Sequence, residues 1–325
     1  MNASRLAIVV GALAGAVCAA CAVGTHDTDD GGPAVAADAS SSSAKDAQSN
    51  ASDAHSAKDA SVATQDATGA TDAAAAPDVF DAGPPPEPIV YGHTPDTLYT
   101  FDPETNALAE VAKFSGCSQS TNATEVLDLA IDANMNAFAT TVDGLYTVDL
   151  TTAECTLVEA GSYPNSLSFV PAGTLDPNVE ALVGYFGSEY VRIDTSSGNM
   201  TDIGSLTGGY ASSGDIVSIA GGGSFLTVTG NGCGDCLFQV DPSTGDMIQN
   251  YGALPYAAVY GLGYWAGALY GFDGEGDLFA IGGGDDGGLA TQAIVDGDGG
   301  VVWWGAGSTT RAPVSAPDGG TFPTQ

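Results

Sequence analysis

The sequence predicts an all-β protein, a five-bladed β-propeller, on three observations. One local phrase recurs about every 45 residues, runs around each copy alternate apolar and polar residues, and helix-period apolar spacing is nearly absent. The copies are Leu98-Tyr-Thr-Phe-Asp-Pro-Glu-Thr-Asn, Leu145-Tyr-Thr-Val-Asp-Leu-Thr-Thr-Ala, Tyr190-Val-Arg-Ile-Asp-Thr-Ser-Ser-Gly and Leu237-Phe-Gln-Val-Asp-Pro-Ser-Thr-Gly, with a degenerate fifth, Leu278-Phe-Ala-Ile-Gly. Their starts lie 47, 45, 47 and 41 residues apart.

Each phrase alternates as a half-buried strand does, then turns through Asp-x-x-Thr-Gly chemistry. Two strand-like runs precede each complete copy; Val126-Leu-Asp-Leu-Ala-Ile-Asp and Ala137-Phe-Ala-Thr-Thr, separated by Asn-Met-Asn, are the clearest. A fourth follows, such as Glu154-Cys-Thr-Leu-Val. Four short strands at this period are the arithmetic of a propeller blade. The first phrase has a single strand before it, Pro88-Ile-Val-Tyr-Gly-His, and the chain carries an orphan strand, Val301-Val-Trp-Trp-Gly-Ala-Gly, after the fifth blade. If the C-terminal strand joins the first blade, the ring closes at five blades with no exposed inner edge. Six blades with one broken is the competing count. The propeller is predicted over residues 89–310, with a C-terminal tail at 311–325.

The phrase Leu-Tyr-x-φ-Asp-x-x-Thr-Gly, with φ apolar, resembles the third-strand signature of NHL- and YVTN-type β-propeller repeats across nearly all of residues 89–310. The resemblance implies the architecture and says almost nothing about activity, because propellers host many functions.

Residues 1–21 read as an address. Arg5 precedes an apolar run from Leu6 to Val17, too short for a stable membrane span and suited to a signal-peptide core. Cys18-Ala-Ala-Cys21 resembles the bacterial lipobox, with Cys21 as the lipidated residue, although Cys18 stands where that motif usually has Leu. Ordinary secretion, with Ala20-Cys21-Ala22 as the cleavage site, is the alternative. Residues 22–88 are an Ala/Asp/Ser/Thr-rich linker with 12 acids against two lysines, expected to stay disordered because it has too little apolar surface to offset the entropy of ordering. Its composition resembles the stalks of surface lipoproteins from deltaproteobacteria such as myxobacteria. Together these imply an exported outer-membrane lipoprotein, held by its lipid anchor and exposed at the surface, with a secreted soluble form as runner-up.

The 325 residues hold 40 Asp plus Glu against 6 Lys plus Arg, a formal charge of -34. Such a surface repels phosphate backbones and argues against a nucleic-acid partner. Four cysteines remain in the propeller. A Cys117–Cys155 bridge would staple neighbouring blades, and Cys233-Gly-Asp-Cys236 is expected to close a hairpin loop. Redox chemistry at the latter would need a helix N-terminus, and it runs straight into a strand instead.

No cofactor is required by any motif. Weak Ca²⁺ candidates are Asp273, Glu275 and Asp277, with Asp285-Asp286, Asp296 and Asp298; hairpin turns in an acidic protein are the favoured explanation. For catalysis, aligned innermost strands put Asp128, Ser168, Ser218 and Gly261 in one column, with Asp132 and Asp215 nearby. Five-bladed arabinanase-type glycosidases use three channel carboxylates, and here the column supplies one. A serine nucleophile would need His93, the domain's one histidine. Trp265, Trp303 and Trp304 are the domain's tryptophans. Neighbours on a strand face opposite ways, so one of Trp303 and Trp304 is expected to be buried between blades and the other exposed. The sequence therefore favours a surface-tethered, non-catalytic binding module for a protein or an extracellular glycan, with Trp265, Trp303, Trp304, Asp128, Ser168 and Ser218 as ligand-binding candidates. A channel hydrolase or lyase, Ca-dependent or not and using Asp128, Asp132 and Asp215, is one alternative; an inert spacer is another.

Overall fold

The structure, a computed structural model, describes residues 87, 89–119, 125–283, 288–297 and 300–315. Among them are twenty strands in five antiparallel sheets of four, and no helix. Blade 1 is ordered β20-β1-β2-β3, from β1 (Val90–His93), β2 (Thr97–Asp102), β3 (Ala107–Lys113) and, at the far end of the chain, β20 (Gly305–Gly307). Blade 2 comprises β4 (Val126–Ile131), β5 (Ala137–Thr141), β6 (Gly144–Val148) and β7 (Cys155–Ala160). Blade 3 has β8 (Leu167–Val170), β9 (Ala181–Phe186), β10 (Glu189–Ile193) and β11 (Met200–Ser205). In blade 4 are β12 (Ala211–Ile219), β13 (Gly223–Gly230), β14 (Cys233–Val240) and β15 (Met247–Ala253). Blade 5 completes the set with β16 (Val259–Trp265), β17 (Ala268–Asp273), β18 (Leu278–Gly283) and β19 (Leu289–Val295). The first strand in each blade's order is innermost, and each packs on the next: β20 on β4, β4 on β8, β8 on β12, β12 on β16, and β16 back on β20. The ring closes, and the protein is a five-bladed β-propeller.

The recurring phrase occupies the third strand of every blade (β2, β6, β10, β14 and β18), and its turn chemistry is now explicit. The Asp that ends the phrase accepts amide hydrogens from two and three residues on: Asp149 Oδ1 from Thr151 at 2.8 Å and Thr152 at 3.0 Å, and Asp194 Oδ1 from Ser196 and Ser197 at 2.9 Å. The Ser196 and Ser197 hydroxyls and amides hold the Asp194 carboxyl at about 2. Four residues after each Asp the chain turns left-handed, with φ of 57° at Asn106, 55° at Ala153, 69° at Gly198 and 71° at Gly245. Gly245 also has no room for a methyl group, since a Cβ there would meet the Tyr190 ring at 2.4 Å.

The core lies between blades in layers. Leu98, Phe114, Val126 and Tyr146 fill the space between blades 1 and 2, and Tyr185, Tyr190, Leu226 and Phe238 that between blades 3 and 4. Outer strands are mostly exposed. The Cys117–Cys155 disulfide ties the segment leaving blade 1 to the outer strand of blade 2, and Cys233–Cys236 bridges the start of β14 just after the Asn231-Gly232 turn.

Closure differs from expectation in one detail. Only Gly305–Gly307 of the orphan segment pairs with β1, in the register Tyr91↔Gly307 and His93↔Gly305. Residues 301–304 instead cross from blade 5 to blade 1. Trp303 is wedged there, fully buried, edge-on to Phe272 and Tyr99 at 5.3 Å, with its indole N–H donated to Gly276 O at 3.2 Å. The Trp303 indole thus finds an acceptor at the crossing between blades 5 and 1.

Candidate functional site

The centre of the ring is filled with polar groups that stitch blade to blade. Asp128 of β4 accepts the Leu167 amide of blade 3 through Oδ2 at 2.6 Å and the Leu129 amide through Oδ1 at 2.8 Å. Asp215 of β12 accepts the Leu262 amide of blade 5 through Oδ2 at 2.7 Å. Thr140 and Thr227 donate hydroxyls to Pro164 O and Val259 O of the following blades at 2.8 and 3.3 Å. These equivalent bonds define the true level around the axis: Asp128, Ser166, Asp215 and Gly261. The alignment that put Ser168 and Ser218 beside Asp128 is thereby corrected. Register shifts after Val126, Ser212 and Val259 insert residues unequally into the inner strands, so counting by twos slips. Ser168 serves elsewhere, its hydroxyl oxygen accepting the Ser218 amide at 3.1 Å.

Both carboxyls are completely buried. Asp215 faces the Asp128 carboxyl, and the Ile216 amide is its other backbone neighbour besides Leu262. Burial pushes both groups well above the usual carboxylate range, and the negative charge of Asp128 raises Asp215 further. His93 is also fully buried, held neutral by burial with its ionisation lowered to about 4, and its Nδ1–H is donated to Thr94 O at 3.0 Å. Its ring lies beside Asp128 across Gly305, where a Cβ would come within 2.3 Å of His93 Nε2 and 2.6 Å of Asp128 Oδ1.

The two ends of this plug differ. Where the inner strands finish, the segment Ser308–Ser315 runs across the ring. Thr309 bridges Ile131 of blade 2 and donates its hydroxyl to Asp132 O at 2.9 Å. Thr310 bonds Glu180 of blade 3 through its hydroxyl and Ala220 of blade 4 through its carbonyl. The Ser308 hydroxyl accepts the Tyr264 amide of blade 5 at 3.0 Å. Asp132 sits here, away from Asp128, with Oδ1 capping a turn through the Asn134 and Asn136 amides at 2.8 Å.

At the opposite end, where the inner strands begin, lies an open cavity of ≈ 470 Å³ lined by Leu127, Asn165, Tyr260, Glu275, Val302 and Trp304, among others. Tyr260 is 39% and Val302 45% exposed, and Trp304 is half-buried. Trp265 and Trp303 are in the packed core, so of the three tryptophans Trp304 alone reaches this surface. Tyr260, Leu127 and Asn165 escaped sequence reasoning; the signal available was their position at the start of the inner strands. A larger cleft of ≈ 940 Å³ at the sealed end, between blades 2 and 3, is lined by turn residues such as Asp132 and Asp149 that cap their own loops.

Of the carboxylates considered for Ca²⁺, Asp273 and Asp277 cap turns. Asp273 Oδ1 accepts the Glu275 and Asp277 amides at 3.0 and 2.8 Å, and Asp277 Oδ1 accepts the Gly297 amide. Among the described residues no three His, Cys, Asp or Glu side chains are grouped to hold a metal. Asp285, Asp286 and Asp298 lie outside the described residues, as does Cys21.

No protein-family model matches the chain, and no curated protein matches it. Among the solved structures similar to it are two of low sequence identity. A chain of a nidogen/laminin complex has TM-score 0.42 and 10% identity, over 67% of this chain and 97% of that one. The Cps50 (Swd1) β-propeller domain of Myceliophteria thermophila has TM-score 0.36 and 12% identity, over 61% and 62%. The architecture of this protein rests on its own strand pairing.

Proposed function

We propose that the protein is a non-catalytic binding module whose ligand docks at the channel mouth, against Trp304 and Tyr260. The observation that carries this reading is the pairing of an open aromatic cavity with a filled channel beneath it. Exposed aromatic and aliphatic side chains gathered on one surface mark interaction sites. The hydrolase reading needs two carboxyls standing about 5–9.5 Å apart with room for a sugar between them. Asp128 and Asp215 face each other directly, are sealed from solvent, and already accept the amides of neighbouring blades. Asp132 belongs to the other end of the ring.

The remaining parts of the proposal concern location. Export through residues 1–21, an anchor at Cys21 and a linker over 22–88 would hold the propeller away from an outer membrane. Two disulfides suit an oxidising compartment outside the cytoplasm and support this reading.

The test is thermal melting of the full chain against a panel of glycans and peptides, in wild type, Trp304→Ala and Asp128→Asn. A ligand at about 100 times its Kd adds about 2.7 kcal/mol, raising Tm by about 5 °C or more in a domain of this size. The expected result is a ligand that shifts wild type and Asp128→Asn but not Trp304→Ala. A ligand whose effect survives Trp304→Ala and vanishes in Asp128→Asn would move the site into the channel and overturn the reading.

A further inference from the structure

Resting on that reading, we infer that the mouth cavity takes the side chain of a lysine or arginine presented by a partner protein. Three observations converge. The cavity combines two accessible aromatic side chains, Trp304 and Tyr260, with one charged residue, Glu275, and one amide, Asn165. Aromatic faces attract cations electrostatically, Trp most strongly, and an adjacent carboxylate supplies the counter-charge. The apolar rim of Leu127 and Val302 suits the methylene stem that such a side chain lays along a surface.

The second observation is what the mouth lacks. The cations among the described residues are Lys113, Arg192 and Arg311. Lys113 is paired with Asp96 at 2.8 Å, Arg192 lies on β10, and Arg311 belongs to the segment across the sealed end. None lines the cavity, so a carboxylate, sulfate or phosphate ligand would meet no counter-ion there.

Third, residues 89–325 hold 28 Asp plus Glu against Lys113, Arg192 and Arg311, a strongly negative field. That field draws basic partners toward the surface and repels phosphate-bearing ones. A lipid headgroup that offers an ammonium also carries a phosphate, and the same field disfavours it. A neutral sugar would stack on Trp304 equally well and could donate hydroxyls to Glu275, but would make no use of the field. A basic protein segment satisfies all three observations.

The test is titration of the full chain at about 150 mM salt, where diffuse attraction is screened beyond about 8 Å. Probes are capped pentapeptides of glycine with a central arginine or lysine, and the same peptides with the neutral isosteres citrulline or norleucine. Phosphocholine and a neutral disaccharide complete the set. Binding is read by calorimetry and by the fluorescence change of Trp304. The expected result is binding of the charged peptides, about tenfold weaker for the neutral isosteres and for Trp304→Ala, and severalfold weaker for Glu275→Gln. Equal binding of citrulline and arginine peptides would overturn the inference, as would charged-peptide binding that Trp304→Ala leaves intact. Disaccharide binding that needs Trp304, with no peptide binding, would overturn the ligand class while leaving the mouth as the site. If no probe binds but a ligand from the melting panel needs Trp304, the class again fails and the site stands.

Discussion

The two ends of the propeller channel are built from the same five inner strands and have opposite characters. At the finishing end, the chain that closes the ring continues across it, and Ser308, Thr309 and Thr310 spend their side chains and carbonyls on blades 2 to 5. At the starting end nothing among the described residues crosses, and apolar side chains stand in solvent. The polar plug between the ends gives the buried Leu129, Leu167 and Leu262 amides their acceptors.

Within the channel, the largest effect should come from the plug. Gly305→Ala places a methyl group against His93 Nε2 and Asp128 Oδ1, and overpacking of this kind costs about 3 kcal/mol or more. Denaturant titration should show the midpoint fall, and an unchanged midpoint would mean the plug is looser than described.

Next is the carboxyl pair, where the two positions should respond differently. Asn at 215 can accept the Leu262 amide through its oxygen and donate through its NH₂ to Asp128, imitating a protonated Asp215. Asn at 128 would turn an NH₂ toward one of the two amides that Asp128 accepts, Leu129 and Leu167, costing about 1–3 kcal/mol. The pH dependence has a definite sign. Both folded-state values are raised, so the pair's contribution is fully present below the unfolded carboxyl value of about 4 and is lost as pH rises toward the folded value, by up to about 1.4 kcal/mol per pH unit for each proton. Asp215→Asn removes that falling limb. Its stability relative to wild type should increase between about pH 5 and 8; parallel curves would show that no proton is shared.

Sequence made the blades legible because their signal is local. A turn that needs an Asp to cap amides and a left-handed residue four positions later leaves the same letters in each copy, as at Asp194 and Gly198. Closure followed from counting strands. The disulfide partners followed from where Cys117 and Cys155 sit relative to the blades. The centre was not legible in the same way. Asp128 and Asp215 meet only because two blades return to one axis, and bulges in β4, β12 and β16 shift the phase that would align them. His93 read as a strand residue of the first blade, and only the docking of Gly305 against it shows that it belongs to the channel. Trp303 and Trp304 divide between core and surface as strand alternation suggested, although their segment is not a strand. The Trp303 indole seeks a buried acceptor, and Trp304 is left on the other side.

That neighbouring pair offers the most direct measurement. Trp303→Ala and Trp304→Ala should be melted side by side, with and without a ligand that protects wild type. Trp303→Ala is expected to lose about 3–5 kcal/mol, while Trp304→Ala stays within about 1 kcal/mol of wild type and loses the ligand's protection. If Trp304→Ala melts as low as its neighbour, or keeps the ligand-induced shift, the mouth is part of the scaffold and recognition lies elsewhere.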